Sequence, residues 1–481
     1  MSIYQKKVID FLTAHNMNPY SIDIEKNCDL FVDEMVVGLN VANGGSLLML
    51  PTYIKSHDNV PLEEPVIVID AGGTNLRVAL LSFNNSKQPV IDYFESYKMP
   101  GSFGEVTSEE FYDTLYEYLL PILDKTDKIG FCFSYPAEIY PNRDGKLLRF
   151  TKEMKISGLI GSMVGEGLLN KIAEKRRHGE KRVVMLNDTT ATLLGGRASY
   201  PNRAFDGYIG LILGTGFNLA YIERAHKLGK LPEYKDSVDN MVINLEAGNY
   251  SRGPIGRIDD VFDEKTATPG LYRMEKSLSG AYQGGLIKAV IDQAAGEGLF
   301  SESFSKKLST LKGLSSKDVD DFLFYPFNPV QSVLAALIPE TDDAGIMMAS
   351  ASAGASCINH SAASAQAPAL HAWPSALDPD RLTLFYIIDA IMERVAVSLV
   401  FALTAIAKKT QTGKSPCAPV CITAEGSTFY KSKLLQPKLA HYVKTFANER
   451  ENIYLEFVKA ENCVTVGAAI AALQNTIPSA L

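Results

Sequence analysis

The chain has 481 residues, 46% of them hydrophobic and 21% charged, with a net charge of −8. This length allows two or three domains with ample core, and the acidic balance argues against a nucleic-acid surface, which needs a basic face. The longest apolar run, residues 395–407, falls short of the roughly 20 residues a membrane span requires. The six scattered cysteines and the absence of an apolar leader set the expectation of a cytoplasmic protein with no membrane partner.

Residues 3–45 read as helices, with apolar spacing at Leu30, Phe31, Met35, Val36 and Leu39. An extended passage starts at residues 50–54. Residues 66–83 then read Val-Ile-Val-Ile-Asp-Ala-Gly-Gly-Thr-Asn-Leu-Arg-Val-Ala-Leu-Leu-Ser-Phe. Two apolar runs flank a turn of Gly72, Gly73 and Thr74, which predicts a β-hairpin. Glycines at its tip let backbone N–H groups approach phosphate oxygens. Asp70, at the end of the first strand, suits Mg²⁺ held through water. An ordinary hairpin with a glycine turn is the competing reading. A second copy counts against it. Residues 207–224 again run strand, turn (Gly214, Thr215, Gly216), strand. The Asn75-Leu76 that follows the first turn recurs as Asn218-Leu219, 143 residues later. A hairpin repeated at domain-scale spacing predicts two similar halves facing each other across a cleft, each gripping phosphate.

Between and beyond the hairpins, residues 66–195 alternate strands and helices, with buried parallel strands at 128–134 and 182–186. The second ends in Asn187 and Asp188 and opens a helix. Ligands gather at the carboxyl ends of such strands, and a carboxylate there can take a hydroxyl proton as oxygen attacks phosphorus. Capping of the helix by Asp188 or Thr189 is the alternative. Ser134 also follows a buried strand. Thr151 and Lys152 follow Leu-Leu-Arg-Phe, and Lys152 is suited to hydrogen-bond a sugar oxygen and offset phosphoryl charge; taken alone it reads as a surface lysine. Glu246 sits among apolar and turn residues. Glu275, beside Lys276, starts a helix and reads otherwise as a surface carboxylate. Residues 271–327 are mostly helical, and 344–370 are rich in Ala and Ser. A long helix at 382–409, a strand at 420–423, a turn at Gly426 and Ser427 and an apolar helix at 466–473 complete the chain.

Taken in order, these segments resemble the eukaryotic-type hexokinases of the actin-like ATPase superfamily, from about Leu50 to the C-terminus. Residues 70–78 resemble the family's first phosphate motif, with Asp70, Gly72, Gly73, Thr74, Asn75 and Arg77 toward the nucleotide. Phe133-Ser134-Tyr135-Pro136 and Thr151-Lys152 are similar to its sugar segments. Leu186-Asn187-Asp188-Thr189 resembles the Asn-Asp-Thr whose Asp is the catalytic base. Gly214, Thr215, Gly216 and Asn218 resemble the second phosphate motif, with Asn218 on the sugar. Residues 243–246 and 275–280 match the segments supplying sugar-binding glutamates, here Glu246 and Glu275. Gly426 and Ser427 resemble the adenosine motif. Departures from the family pattern include Ala247 where Trp is common and Gly285 for a usual Glu.

The resemblance implies an α/β fold of two actin-like, ribonuclease H-like lobes. A small domain would span 62–195, completed by a C-terminal helix at 463–481, and a large domain 1–61 and 196–462. It implies transfer of the γ-phosphoryl group of ATP to the 6-hydroxyl of glucose or a related hexose. Asp188 and Lys152 would be catalytic. Ser134, Thr151, Lys152, Asn187, Asp188, Asn218, Glu246 and Glu275 would hold the sugar, and Mg²⁺ would sit near Asp70 and Asp188 through water. The chain would act as a monomer or homodimer. A sugar sensor without turnover and another actin-like ATPase are the rival readings; the first has no need of Asp188, and the second lacks the sugar segments.

Overall fold

The computed structural model describes residues 1–56, 60–150, 154–175, 179–338 and 378–475. Thr151, Lys152, the Ala/Ser-rich stretch 344–370 and the last residues of the expected 463–481 helix lie outside the described residues.

Strand β1 (Leu50–Lys55) precedes the first hairpin, β2 (Val66–Ala71) and β3 (Asn75–Phe83), which β4 (Pro89–Lys98) extends. β5 (Val106–Thr107) pairs with β9 (Ile156–Ser157), and β7 (Ala137–Ile139) with β8 (Gly145–Leu147), as small side ribbons. β6 (Lys128–Phe133) and β10 (Arg182–Leu186) join the first sheet, whose order is β10-β6-β2-β3-β4. β2 and β3 are antiparallel, while β6 and β10 run parallel to β2. β2 is buried at all six positions, as an apolar run between two neighbours must be. β4 is exposed along nearly its whole length. Asp92, Glu95 and Lys98 on it blunt the sheet edge against pairing with another chain.

The second sheet repeats this plan. β11 (Gly207–Leu213) and β12 (Phe217–Arg224) form its hairpin, β13 (Asn240–Asn244) extends it, and β14 (Val420–Glu425) and β15 (Leu455–Val458) lie parallel to β11. The order is β1-β13-β12-β11-β14-β15, so β1 adds one antiparallel strand at the β13 edge. Two sheets of the same internal order answer the repeat seen in the glycine turns.

Among the described residues, three apolar cores follow from this arrangement. One lies under the first sheet, around Phe111, Phe131 and Leu168. The largest lies under the second, against the helix Pro379–Thr410. That helix starts three residues before the expected 382, because Asp378 caps it and Pro379 suits its first position. It is long and apolar enough to cross a membrane, but its apolar window is wholly buried. Phe401 on it meets Phe31 and Tyr250 at ring separations of 6.2 and 6.3 Å. The third core joins the sheets through the helices Asp188–Ser199 and Cys463–Asn475. These two helices approach closely enough that a Cβ on Gly195 would lie 2.0 Å from the Cys463 carbonyl oxygen. Only glycine fits there.

Candidate active site

β2 carries Asp70 to its carboxyl end, where the side chain is buried. The antiparallel register sets Arg77 of β3 directly opposite, and Arg77 Nη1 reaches Asp70 Oδ2 at 2.7 Å. Arg77 is about half exposed, so its charge is partly solvated. Burial raises the pKa of Asp70. Arg77 opposes that rise, and the nearby charges of Asp188 and Glu425 add to it. The turn beyond Asp70 closes through the Gly72 N–H to the Asn75 carbonyl at 3.0 Å. Tyr135 Oη donates to the Gly72 carbonyl at 2.9 Å, and the Met99 N–H to that of Thr74 at 3.0 Å.

The second turn is seated differently. Within it, the Gly214 N–H donates to the Gly216 carbonyl at 3.0 Å. The Gly214 carbonyl accepts from the Gly280 N–H at 2.8 Å and from Thr428 Oγ1 at 2.9 Å. The Thr215 carbonyl accepts from the Ala281 N–H at 3.3 Å. Gly426 follows β14 with φ of +114° and lies against Gly214. Ser427 then opens the short helix Ser427–Lys431. The turn is thus braced by the start of the helix Gly280–Gly296 and by the segment that the resemblance assigns to adenosine.

Asn187, rather than Asp188 or Thr189, caps the helix Asp188–Ser199. Its Oδ1 accepts the Thr190 N–H at 2.9 Å. Asp188 is therefore released from the capping role. Its Oδ1 accepts from Asn187 Nδ2 and Thr189 Oγ1, both at 3.3 Å, and it sits in the first helical turn, where the backbone dipole favours a carboxylate. β10 pairs with β6 through Leu186 and Cys132. Ser134 therefore lies two residues beyond this pair on β6, and Asp188 two residues beyond it on the β10 side. Ser134 is anchored through its N–H to the Ala71 carbonyl at 3.1 Å.

From the second sheet come Asn218, Glu246 and Glu275. Glu275 Oε2 accepts the N–H of Phe217, the residue after the Gly214–Gly216 turn, at 3.0 Å. This overturns its reading as a surface carboxylate, because its helix lies against the hairpin. Its neighbour Lys276 is also buried and pairs with Asp263. Glu246 adopts a left-handed backbone with φ of +55°. Burial raises its pKa, with Asp188 and Glu275 adding and Asn244 and Arg149 opposing. Glu246, Asn244 and Asn187 line one interlobe cavity with Leu50, Pro51 and Tyr135. Asp188 thus acts electrostatically on both Asp70 and Glu246.

Two participants escape a reading of sequence. Asn244 precedes Glu246 by two residues at the end of β13, a strand spacing that hints at a shared face. Glu425, at the end of β14, accepts from Cys463 Sγ at 3.1 Å; no local pattern joins residues so far apart. Among the described residues, no group of three or more His, Cys, Asp or Glu side chains is assembled to hold a metal directly.

Two family profiles described as Hexokinase match residues 13–198 and 208–474. The chloroplastic hexokinase-2 of Nicotiana tabacum is 31% identical over 306 residues, 60% of each chain. Hexokinase-1 of Spinacia oleracea is 33% identical over 301 residues, 59% of each. The match therefore spans about 60% of the length of these plant relatives. A hexokinase of Schwanniomyces occidentalis is 27% identical over 471 residues, 93% of this chain and 89% of the relative. The solved structure of a hexokinase from Schistosoma mansoni complexed with glucose matches with a TM-score of 0.70 at 22% identity, covering 98% of both chains. That likeness shows the fold, an α/β pair of actin-like lobes.

Proposed function

This chain belongs to the hexokinase family, and from that membership we propose that it transfers the γ-phosphoryl group of ATP to the 6-hydroxyl of glucose or a related hexose. The observation that carries the reading is the position of Asp188. It is freed from capping by Asn187 and acts electrostatically on both Asp70 at the first glycine turn and Glu246 in the cleft.

Asp188 accepts the proton of the sugar's primary hydroxyl as that oxygen meets the γ-phosphorus. In a loose transition state the proton moves late, so holding the hydroxyl in line matters more than basicity. Ser134, Thr151, Lys152, Asn187, Asn218, Glu246 and Glu275 hold the hexose, and Lys152 offsets charge on the transferring group. The turns Gly72–Thr74 and Gly214–Gly216 take the phosphates from the two lobes, with Asn75 and Arg77 beside the first. Gly426 and Ser427 face the adenosine. A buried, partly compensated carboxylate at Asp70 fits Mg²⁺ held through water, together with Asp188. When bound, that ion neutralises charge on the phosphate oxygens.

The small domain in this reading is 62–195 with the C-terminal helix, and the large domain is the remainder. The helix Cys463–Asn475 packs on β2, β6 and the helix Asp188–Ser199, which supports that division. Sugar ligands drawn from both halves favour lobe closure around hexose, and closure keeps water from the phosphate. The protein works in the cytoplasm as a monomer or homodimer. An assay of ADP release with and without glucose tests the reading. Hexose-dependent release is expected. Release that is indifferent to sugar would indicate a plain ATPase, and sugar binding without release a sensor.

A further inference from the structure

Asn244 is not among the sugar ligands proposed above, yet it stands between two of them. Asn218 Oδ1 accepts two backbone N–H groups, from Leu219 at 2.8 Å and Ala247 at 3.0 Å. A backbone N–H only donates, so this end of the Asn218 amide must be its oxygen. Its nitrogen consequently faces Asn244 and donates to Oδ1 at 2.7 Å. That leaves the Asn244 nitrogen to face Glu246, where it donates to Oε1 at 2.9 Å. A carboxylate only accepts, so the far end of the chain requires the same polarity as the near end. All of these bonds run one way, from the backbone N–H groups of Leu219 and Ala247 through Asn218 and Asn244 to Glu246.

The strand does not need this side chain. Asn244 is held in the sheet by its pairing with Leu50 and Ala220. What needs it is Glu246, a non-glycine residue with φ of +55°, a conformation that persists only when its surroundings over-determine it. The same Asn218 oxygen grips the N–H of Ala247 immediately after it. Asn244 is itself buried, so a polar group left unpaired there is costly.

We propose that Asn244 is a positioning residue for the hexose: by occupying Oε1 of Glu246 it fixes the carboxylate and leaves Oε2 as an acceptor for a sugar hydroxyl. The proposal rests on the reading of Glu246 as a sugar ligand. An acceptor held in this way selects a hydroxyl donor and leaves an unpaired carboxylate oxygen against a deoxy analogue.

Two variants and one rescue test it, with glucose and ADP affinities of the full chain read by calorimetry. Asn244→Leu keeps the branched heavy-atom skeleton and removes both bonds. It is expected to weaken glucose binding by roughly 10-fold or more, as when a buried donor to a charged acceptor is lost, and to leave ADP binding within about twofold. Asn244→Asp still accepts from Asn218 but cannot donate to an ionised Glu246. Adding Glu246→Gln reverses donor and acceptor between the two positions, so Asn244→Asp with Glu246→Gln is expected to bind glucose more tightly than Asn244→Asp alone. A role confined to folding would not produce that rescue. If Asn244→Leu does not fold, the rescue pair decides. Glucose affinity unchanged in Asn244→Leu, equal losses for glucose and ADP, or no rescue each overturns the proposal. If the parent protein itself does not bind glucose, the functional reading fails, and this proposal with it.

Discussion

The two glycine turns come from hairpins of the same order, yet they are held in unlike ways. The first rests on its own sheet, the Met99 backbone and one tyrosine hydroxyl. The second is gripped by the Gly280 and Ala281 N–H groups and Thr428 Oγ1, with Gly426 packed against it and Glu275 fixing the residue that follows. A turn with few outside partners can adjust at small cost, whereas a turn bonded to several elements moves only with them. In the function proposed, the second turn therefore sets the place of the phosphates, and the first adapts to it. The same bracing ties the second turn to Glu275, a proposed sugar ligand, so the proposed phosphate and sugar sites share one braced frame.

The largest effect is expected between the turns. Asp188→Ala leaves both of them intact, so ADP and glucose affinities should stay within a few-fold of the parent. Turnover should fall by about 10²–10⁴, the usual range for a lost general base. Steady-state rates within a few-fold of the parent would remove Asp188 from the mechanism.

Alanine substitutions then contrast the two turns. A Cβ at Gly426 would lie 2.2 Å from the Leu213 carbonyl oxygen, at a φ of +114°. Gly426→Ala should cost about 3 kcal/mol of stability, from strain and clash together, and should weaken ADP binding. A Cβ at Gly72 meets nothing closer than the Asn75 oxygen at 3.3 Å, so Gly72→Ala should cost less than about 1 kcal/mol. Thermal unfolding and ADP titration of both variants check this. Equal losses would erase the difference between rigid and adaptable turns.

Burial raises the pKa of both Asp70 and Glu246. Each binds its proton more tightly folded than unfolded. The contribution of these two groups to ligand-free stability therefore declines as pH rises from the ordinary carboxylate range through their raised folded values. Asp70→Asn removes one of these terms and leaves Arg77 half exposed to water. Its unfolding midpoint at pH 7 should equal or exceed that of the parent, with less decline as pH rises above the ordinary carboxylate range, while turnover is lost. A clear drop in midpoint would mean that the Asp70–Arg77 pair stabilises the fold.

The smallest effects compare single hydroxyls. Tyr135→Phe takes from the Gly72 carbonyl the hydrogen bond recorded for it, at a cost of about 1 kcal/mol. Thr428→Val takes one of two donors from the Gly214 carbonyl, because Gly280 still supplies the other. Its cost should be smaller, about 0.5 kcal/mol. Denaturant midpoints measured side by side give the order, and a larger loss in Thr428→Val would reverse the account of which turn is better braced.

Several residues of the candidate site were legible because local chemistry marks them. The apolar runs around Asp70 and the glycine turns announce hairpins, and strand register then places Arg77 opposite Asp70 with no further information. The Asn187-Asp188 pair at a strand end was legible as a candidate site, but not which residue caps the helix. Asn, Asp and Thr all cap well, and only the fold showed that Asn187 does so. Glu275 and Lys276 looked like a solvated pair on a short helix. They are half-buried and buried because that helix packs against the hairpin and against Asp263.

The sequence by itself determined the two hairpins, their glycine turns, the buried parallel strands and the long apolar helix. Each of these is written within a few neighbouring residues, where a period of two or 3.6 and the conformational needs of glycine leave few choices. Tertiary structure alone decided the partnerships: Cys463 with Glu425, Glu275 with the Phe217 backbone, and Asn218 with Asn244, which in turn donates to Glu246. Their spacing carries little or no periodic signal. A hydrogen bond also depends on which atom of an amide or carboxyl faces the other, and that is fixed only when separate elements are packed together and every buried donor must find its acceptor.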